Sequence, residues 1–398
     1  MFANNYLNKN GIEALIPETP DPDTGMIVVI PCLREPGILQ TLESLKDCTL
    51  PDVSVEIIVL INHSELASED VQNFNNETKL ALDYWVEKNP VVGIKFHVVG
   101  PIILRKKWAG AGLARKKGMD EALRRFNMLN KSDGVIVSLD ADTLVEPNYL
   151  VEIAAHFKAF PKNVGATLAF EHQKDGLDAK HLEGIELYEK YLTYYKNALE
   201  YTGYPYAMFT IGSAFAVRAQ AYVKRGGMNR RQAGEDFYFL QNLVHLGKVG
   251  VINKTKVYPS ARLSDRVPFG TGPILKKWME GDQDLLETYD FRSFQILRTF
   301  FQQIPELFKI SHIQYIEILQ KLAPELTNFL IRIEFWDDLD DLNRNCASFE
   351  AFQNRFFQKF NAFKILKCLN FLQEKYYPAA NLDIQLKALT RSIADGQK

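Results

Sequence analysis

Four short apolar runs set the rhythm of the first 140 residues: MIVVIP (26–31), VEIIVLI (55–61), IKFHVV (94–99) and GVIVSLD (134–140). Each is rich in β-branched residues, as buried strands are. Between them GILQTLESL (37–45), SEDVQNFNNETKLALDYWVEK (68–88) and GLARKKGMDEALRRFNML (112–129) place apolar residues three and four apart, which predicts helices. Strand and helix alternate, so the pattern predicts an α/β domain with a doubly wound, mainly parallel sheet. In such sheets ligands gather outside the carboxyl ends of the strands. A further strand is expected at VGATLAF (164–170) and a helix over 144–159. Past about residue 275 the strands stop and amphipathic helical segments follow. One of them is FEAFQNRFFQKFNAFKIL (349–366), where Phe349, Phe352, Phe356, Phe360 and Phe363 share one helical face suited to a partner helix. The expected organisation is a polar leader (1–24), an α/β domain (25–275) and an α-helical C-terminal region (276–398).

The run VIVSLDADTL (135–144) stops at Asp140 and adds a second acid at Asp142. In extended chain, side chains two apart project to the same side, so both carboxylates could face one ligand. Two like charges at that spacing repel unless a cation lies between them or one binds a proton. Mg²⁺ or Mn²⁺ is a simple remedy, and such ions complete their shell with substrate phosphates. A second explanation stands beside it, in which Asp142-Thr143 caps the helix expected over 144–159.

Composition narrows the classes. A formal net charge of -2 carries no footprint of nucleic-acid binding. The cysteines Cys32, Cys48, Cys346 and Cys368 form no CxxC pair, which fits a reducing cytoplasm better than a disulfide framework or a zinc site. No run of about 18 apolar residues predicts a membrane span. Peripheral membrane contact and self-association stay open.

Several stretches, in order, resemble family 2 glycosyltransferases, the nucleotide-sugar-dependent enzymes of GT-A (Rossmann-like) fold. IPCLREPGILQTLESL (30–45) is similar to the family's opening strand, loop and helix, VEIIVLINHS (55–64) to its second strand and GLARKKGM (112–119) to its arginine-bearing helix. SLDADT is similar to its metal motif, and GSAFAVRAQAYVKRGGMNRRQAGEDFYF (212–239) to its acceptor-side segment. The resemblance implies a metal-dependent, inverting transfer of sugar from a nucleotide-diphosphate donor to an acceptor hydroxyl. It implies Asp236 as base with Glu235 beside it, and Mn²⁺ or Mg²⁺ at Asp142 and Asp140. Pro31, Cys32, Glu35, Arg115, Asp140, Gly212 and Ser213 then fall against the nucleotide sugar. Asn62 stands where the family usually has an aspartate for base or ribose, and an amide can both donate and accept. In RLSDRVPFGTG (262–272), where many relatives supply a histidine, Asp265 is the candidate oxygen ligand and Arg266 the candidate diphosphate contact. No QxxRW motif is present, so a single-addition enzyme is expected; the acceptor is a glycan, a lipid-linked sugar or a small molecule. Tyr204 and Tyr206 are candidate acceptor contacts. Three rivals remain: a dehalogenase-type phosphatase, a sugar nucleotidyltransferase, and a non-catalytic nucleotide-sugar-binding or interaction protein of the same fold.

Overall fold

The computed structural model describes residues 1–264 and 270–395. Eight strands form one sheet: β1 (Thr24–Cys32), β2 (Ser54–Ser64), β3 (Ile94–Leu104), β4 (Val135–Ser138), β5 (Leu144–Val145), β6 (Gly165–Phe170), β7 (Phe215–Arg218) and β8 (Val249–Tyr258). Their spatial order is β3-β2-β1-β4-β7-β6-β8-β5. The pairs β3·β2, β2·β1, β1·β4 and β6·β8 are parallel, whereas β7 runs antiparallel to both β4 and β6, and β5 antiparallel to β8. The mainly parallel sheet expected from the alternation is present, with one reversed strand inside it.

The helices are α1 (Asn4–Asn10), α2 (Ile38–Lys46), α3 (Glu69–Lys88), α4 (Ala111–Met128), α5 (Tyr149–Ala159), α6 (Ala179–Tyr201), α7 (Ala219–Lys224), α8 (Glu235–Leu243) and α9 (Thr271–Glu280). Then follow α10 (Phe291–Gln302), α11 (His312–Lys321), α12 (Pro324–Arg332), α13 (Phe335–Asn345), α14 (Phe349–Lys359), α15 (Ala362–Lys375) and α16 (Leu382–Asp395). The chain divides into two compact units, Met1–Asp178 with Thr210–Lys276, and Ala179–Phe209 with Lys277–Lys398. The segment from α6 to Phe209 thus groups with the C-terminal helices, a division that periodicity along the chain did not expose.

In the first unit one large apolar cluster packs β1, β2 and β4 against α2, α3 and α5, through residues such as Ile30, Val59, Val137, Leu42, Leu82 and Ile153. A smaller cluster of Leu60, Leu104 and Ala114 brings in α4. Gly118 permits that helix to lie close to the sheet, since a Cβ there would stand 2.4 Å from Val29 Cγ1. The stretch expected as a polar leader is structured. Ala3 N donates to Asn127 Oδ1 at 2.9 Å, Leu15 N to Glu121 Oε2 at 3.1 Å, and Tyr6 OH to Asp120 Oδ1 at 2.8 Å.

The helix expected over 144–159 is shorter. Leu144–Val145 pairs with Val257 and Tyr258 as a strand, and the helix begins only at Tyr149 after Asn148. Thr143 Oγ1 is buried without a hydrogen-bond partner among the described residues, and the helix takes Asn148 as its N-cap, so the capping explanation for Asp142-Thr143 is removed.

The second unit has a phenylalanine core. The ring of the fully buried Phe300 lies 5.8 Å from Phe335, 5.8 Å from Phe356 and 5.3 Å from Phe360. The single helix expected over 349–366 is two: α14 ends at Lys359 with Phe360 as its C-cap, and Asn361 caps α15 by accepting from Phe363 N and Lys364 N. Phe352, Phe356 and Phe360 are buried as one face, while Phe363 belongs to the next helix.

Candidate active site

The carboxyl end of β4, the segment before β7 and the start of α8 meet around one cation. Arg115, on the second turn of α4, is 2% exposed. Its Nε donates to Glu235 Oε1 at 3.1 Å and its Nη2 to Asp140 Oδ1 at 2.8 Å. Its Nη1 donates to Ser138 Oγ at 2.5 Å and to the Gly212 carbonyl at 3.1 Å. Ser138 Oγ also donates to Gly212 O at 2.6 Å. Burial works against the guanidinium charge, yet Asp140 and Glu235 raise its pKa above the ordinary arginine value. The planar fork is what lets one side chain hold three segments at fixed angles.

Gly212 is required by this packing, because a Cβ there would stand 2.7 Å from Arg115 Nη2. Ser213 is fully buried and its Oγ has no hydrogen-bond partner among the described residues. Glu235 and Asp236 open α8 after Gly234, whose φ of 68° is left-handed. Acids in a first turn face the positive end of the helix dipole, and Asp236 Oδ1 accepts from Phe237 N at 2.7 Å. Burial, then the charge of Glu235, push the Asp236 carboxyl above the usual range, which suits a group that must take up a proton near neutral pH.

A second carboxylate group lies two residues past Asp140. Asp142 Oδ2 accepts from Arg262 Nη2 at 2.9 Å, and the same guanidinium grips both oxygens of Glu35. Glu35 is 3% exposed and also accepts from Gly37 N at 3.1 Å, which shapes the loop after β1. Burial and the neighbouring charge of Asp140 lift Asp142 to about 7, with Arg262 opposing the rise. Among the described residues no three His, Cys, Asp or Glu side chains converge on a point that would hold a metal. The arginine bonds take Asp142 Oδ2 and Asp140 Oδ1 and leave the other oxygen of each. Two carboxylates with ligand phosphates are a donor set that Mg²⁺ and Mn²⁺ accept, so the residues fit such an ion.

The structure therefore brings Glu35, Arg115, Asp140, Asp142, Gly212, Ser213, Glu235 and Asp236 to one region, with Pro31 half-buried at the end of β1. Two candidates are buried. The Cys32 side chain is fully buried in the large apolar cluster, where burial pushes its thiol up to about 12. Asn62 is 3% exposed and gives its amide nitrogen to the carbonyls of Cys32 at 3.0 Å and Leu60 at 3.3 Å, so it ties β2 to β1 instead of meeting a base. Asp265 and Arg266 lie outside the described residues. Tyr204 is buried in the helical unit, with its ring 5.6 Å from Tyr206 and 5.6 Å from Phe357.

Arg262 and Ser138 were not singled out from the sequence. A lone polar residue inside the apolar run VIVSL was the available signal for Ser138. Nothing local separates Arg262 from Arg266.

Residues 135–325 match the model of glycosyl transferase family group 2. The sheet with its flanking helices is the mixed α/β, GT-A-like architecture that the resemblance implied. Among solved structures, the chain is similar to S. aureus TarS 1-349 in complex with UDP-GlcNAc. Identity is 14% over 62% of this chain and 61% of that one, with a TM-score of 0.40. It is also similar to the mannosyltransferase PcManGT from Pyrobaculum calidifontis in complex with GDP-Man and Mn2+, at 12% identity over 93% of each chain and a TM-score of 0.36. The chain thus spans about three fifths of the first neighbour's length. No curated protein matches it. Among the described residues no helix is long and apolar enough to cross a membrane.

Proposed function

We propose that this chain is a glycosyltransferase that moves a sugar from a nucleotide-diphosphate donor to an acceptor hydroxyl, with inversion at the anomeric carbon. The observation that supports it most is the Arg115 network. It holds Asp140, at the end of β4, and Glu235, at the start of α8, on one buried guanidinium. Donor-side and acceptor-side carboxylates are then positioned by the same side chain, and positioning supplies much of the rate of a two-substrate reaction.

In this scheme Asp236 takes the proton of the acceptor hydroxyl as its oxygen attacks the anomeric carbon from the face opposite the leaving diphosphate. A carboxyl raised by burial is matched to that task at neutral pH. The bond to the diphosphate breaks as negative charge grows on its oxygens. Asp142 and Asp140 would hold Mn²⁺ or Mg²⁺, which supplies Lewis-acid neutralisation of that charge. Arg262, now on Glu35 and Asp142, is the protein's own cation beside the same place. The loop Pro31 to Glu35 receives the nucleoside, and Gly212 and Ser213 approach the donor sugar. The four cysteines are free and buried, in keeping with a reducing compartment.

The test is a thermal-shift screen of UDP-, GDP-, dTDP- and CMP-sugars with and without Mn²⁺. The expected result is metal-dependent stabilisation by at least one of them, lost in Asp142→Ala. Stabilisation by none would overturn the proposal. The anomeric configuration of the product, read by NMR, tests inversion.

A further inference from the structure

A cavity of about 360 Å³ opens on a different face of α4 from Arg115. Leu113, Lys116, Lys117 and Asp120 line it, and at 100° per residue they centre roughly 150° around the helix from Arg115. Its other walls come from the chain after α1, from the end of β3 and from Arg230, and none of the residues assigned above to sugar transfer lines it.

The charges in this cavity do not balance. Lys116 and Asp120 neutralise each other at 2.9 Å, and Asp120 also accepts from Tyr6 and Tyr222, at 2.8 Å each. Glu13 is then the only other acid in the lining, against Arg105, Lys117 and Arg230. Among the described residues none of these three cations makes an ion pair. The excess is two positive charges, which matches a phosphate monoester carrying about −1.5 to −2 at neutral pH. Arg230 is pre-oriented by its guanidinium, which lies 5.5 Å from the Trp108 ring. Ile12, Leu15 and Ile103 add apolar wall, and the volume falls in the range of small-molecule sites.

We propose that this cavity binds a phosphate monoester of about monosaccharide size, at a site separate from the one assigned to sugar transfer. The phosphate lies between Arg105, Lys117 and Arg230, and the body of the ligand rests on Trp108 and the apolar wall. This stands whether or not the chain transfers sugars.

Isothermal titration of the full chain with glucose 6-phosphate at low salt, and in parallel with inorganic phosphate, tests it. One equivalent of glucose 6-phosphate should bind, at least tenfold more weakly in the Arg105→Ala/Arg230→Ala double variant and equally well in Asp142→Ala. Both arginines are exposed, so the double variant should keep the unfolding temperature of the parent, which the same samples check. Unchanged affinity in the double variant, or no saturable binding of either probe, would overturn the proposal. So would loss of binding in Asp142→Ala, because the phosphate would then lie in the transfer site. Binding of inorganic phosphate as tight as that of glucose 6-phosphate would overturn the assignment of an ester.

Discussion

Helix α4 carries two buried arginines ten residues apart, and they are used in opposite ways. Arg125 is fully buried and its charge is closed by one partner, Glu56, which it grips through Nε and through Nη2 at 2.9 Å; Nη1 donates to the Glu18 carbonyl at 2.8 Å. Arg115 is shared among Glu235, Asp140, Ser138 and Gly212, and the Asp140 side chain is 35% exposed. A closed pair specifies a core. A cation divided between two carboxylates, one of them open to solvent, leaves negative charge at the surface for a ligand to meet.

The comparison is broken most sharply at the acids that Arg115 arranges. Asp236→Asn should lower transfer by about 10²–10⁴-fold while donor-induced thermal stabilisation is kept; equal loss of both would remove Asp236 from the role of base. Arg125→Met strands a buried carboxylate and should cost about 3–5 kcal/mol, with much of that returned by adding Glu56→Gln. Arg115→Met should lose both stability and transfer. If denaturant titrations found Arg125→Met harmless, the closed-pair account would fail.

Acid separates the two regions next. Burial disfavours the Glu56 charge, but His97 and Arg125 hold its pKa down at about 2, below the ordinary value of 4.5. Its contribution is therefore present above about pH 4.5 and lost as pH falls toward 2, on the order of 3 kcal/mol. Equilibrium unfolding across that window should show the loss in the parent and a smaller one in Glu56→Gln. Gly212→Ala pushes a methyl into Arg115 and should cost about 1–3 kcal/mol, together with activity. One further effect has the opposite sign. Asp142 is raised to about 7, so ionising it opposes folding as pH rises from the unfolded value near 3.8 through 7. Asp142→Asn should therefore raise the melting temperature at pH 8 by a few degrees and abolish any Mn²⁺ response.

Much of the sheet was legible because its strands are apolar runs of the length a buried strand requires, and β1, β2, β3 and β4 fall where MIVVIP, VEIIVLI, IKFHVV and GVIVSLD stand. Glu35, Arg115, Asp140, Asp142, Glu235 and Asp236 could be found by type and order. The reversal of β7 was not legible, since FAVR is four residues whose direction is set by its neighbours β4 and β6. The start of α5 was misjudged because Leu144–Val145 satisfies a helical period and a strand equally, and pairing with β8 decides it. Asn62 looked like a ligand contact by position, but the carbonyls of β1 and of its own strand claim its donors. Those partners are remote or backbone, and no local pattern encodes them.

The bond between Glu35 and Arg262 joins residues 227 apart, whereas Glu56 and Arg125 are 69 apart. On a ribosome adding roughly 5–20 residues per second, the core pair is available within about 3–14 seconds of its first member. Glu35 waits about 11–45 seconds for its partner. The Glu56–Arg125 pair can therefore close while the loop after β1 still has its acid uncovered, and that acid stays uncovered until its arginine arrives.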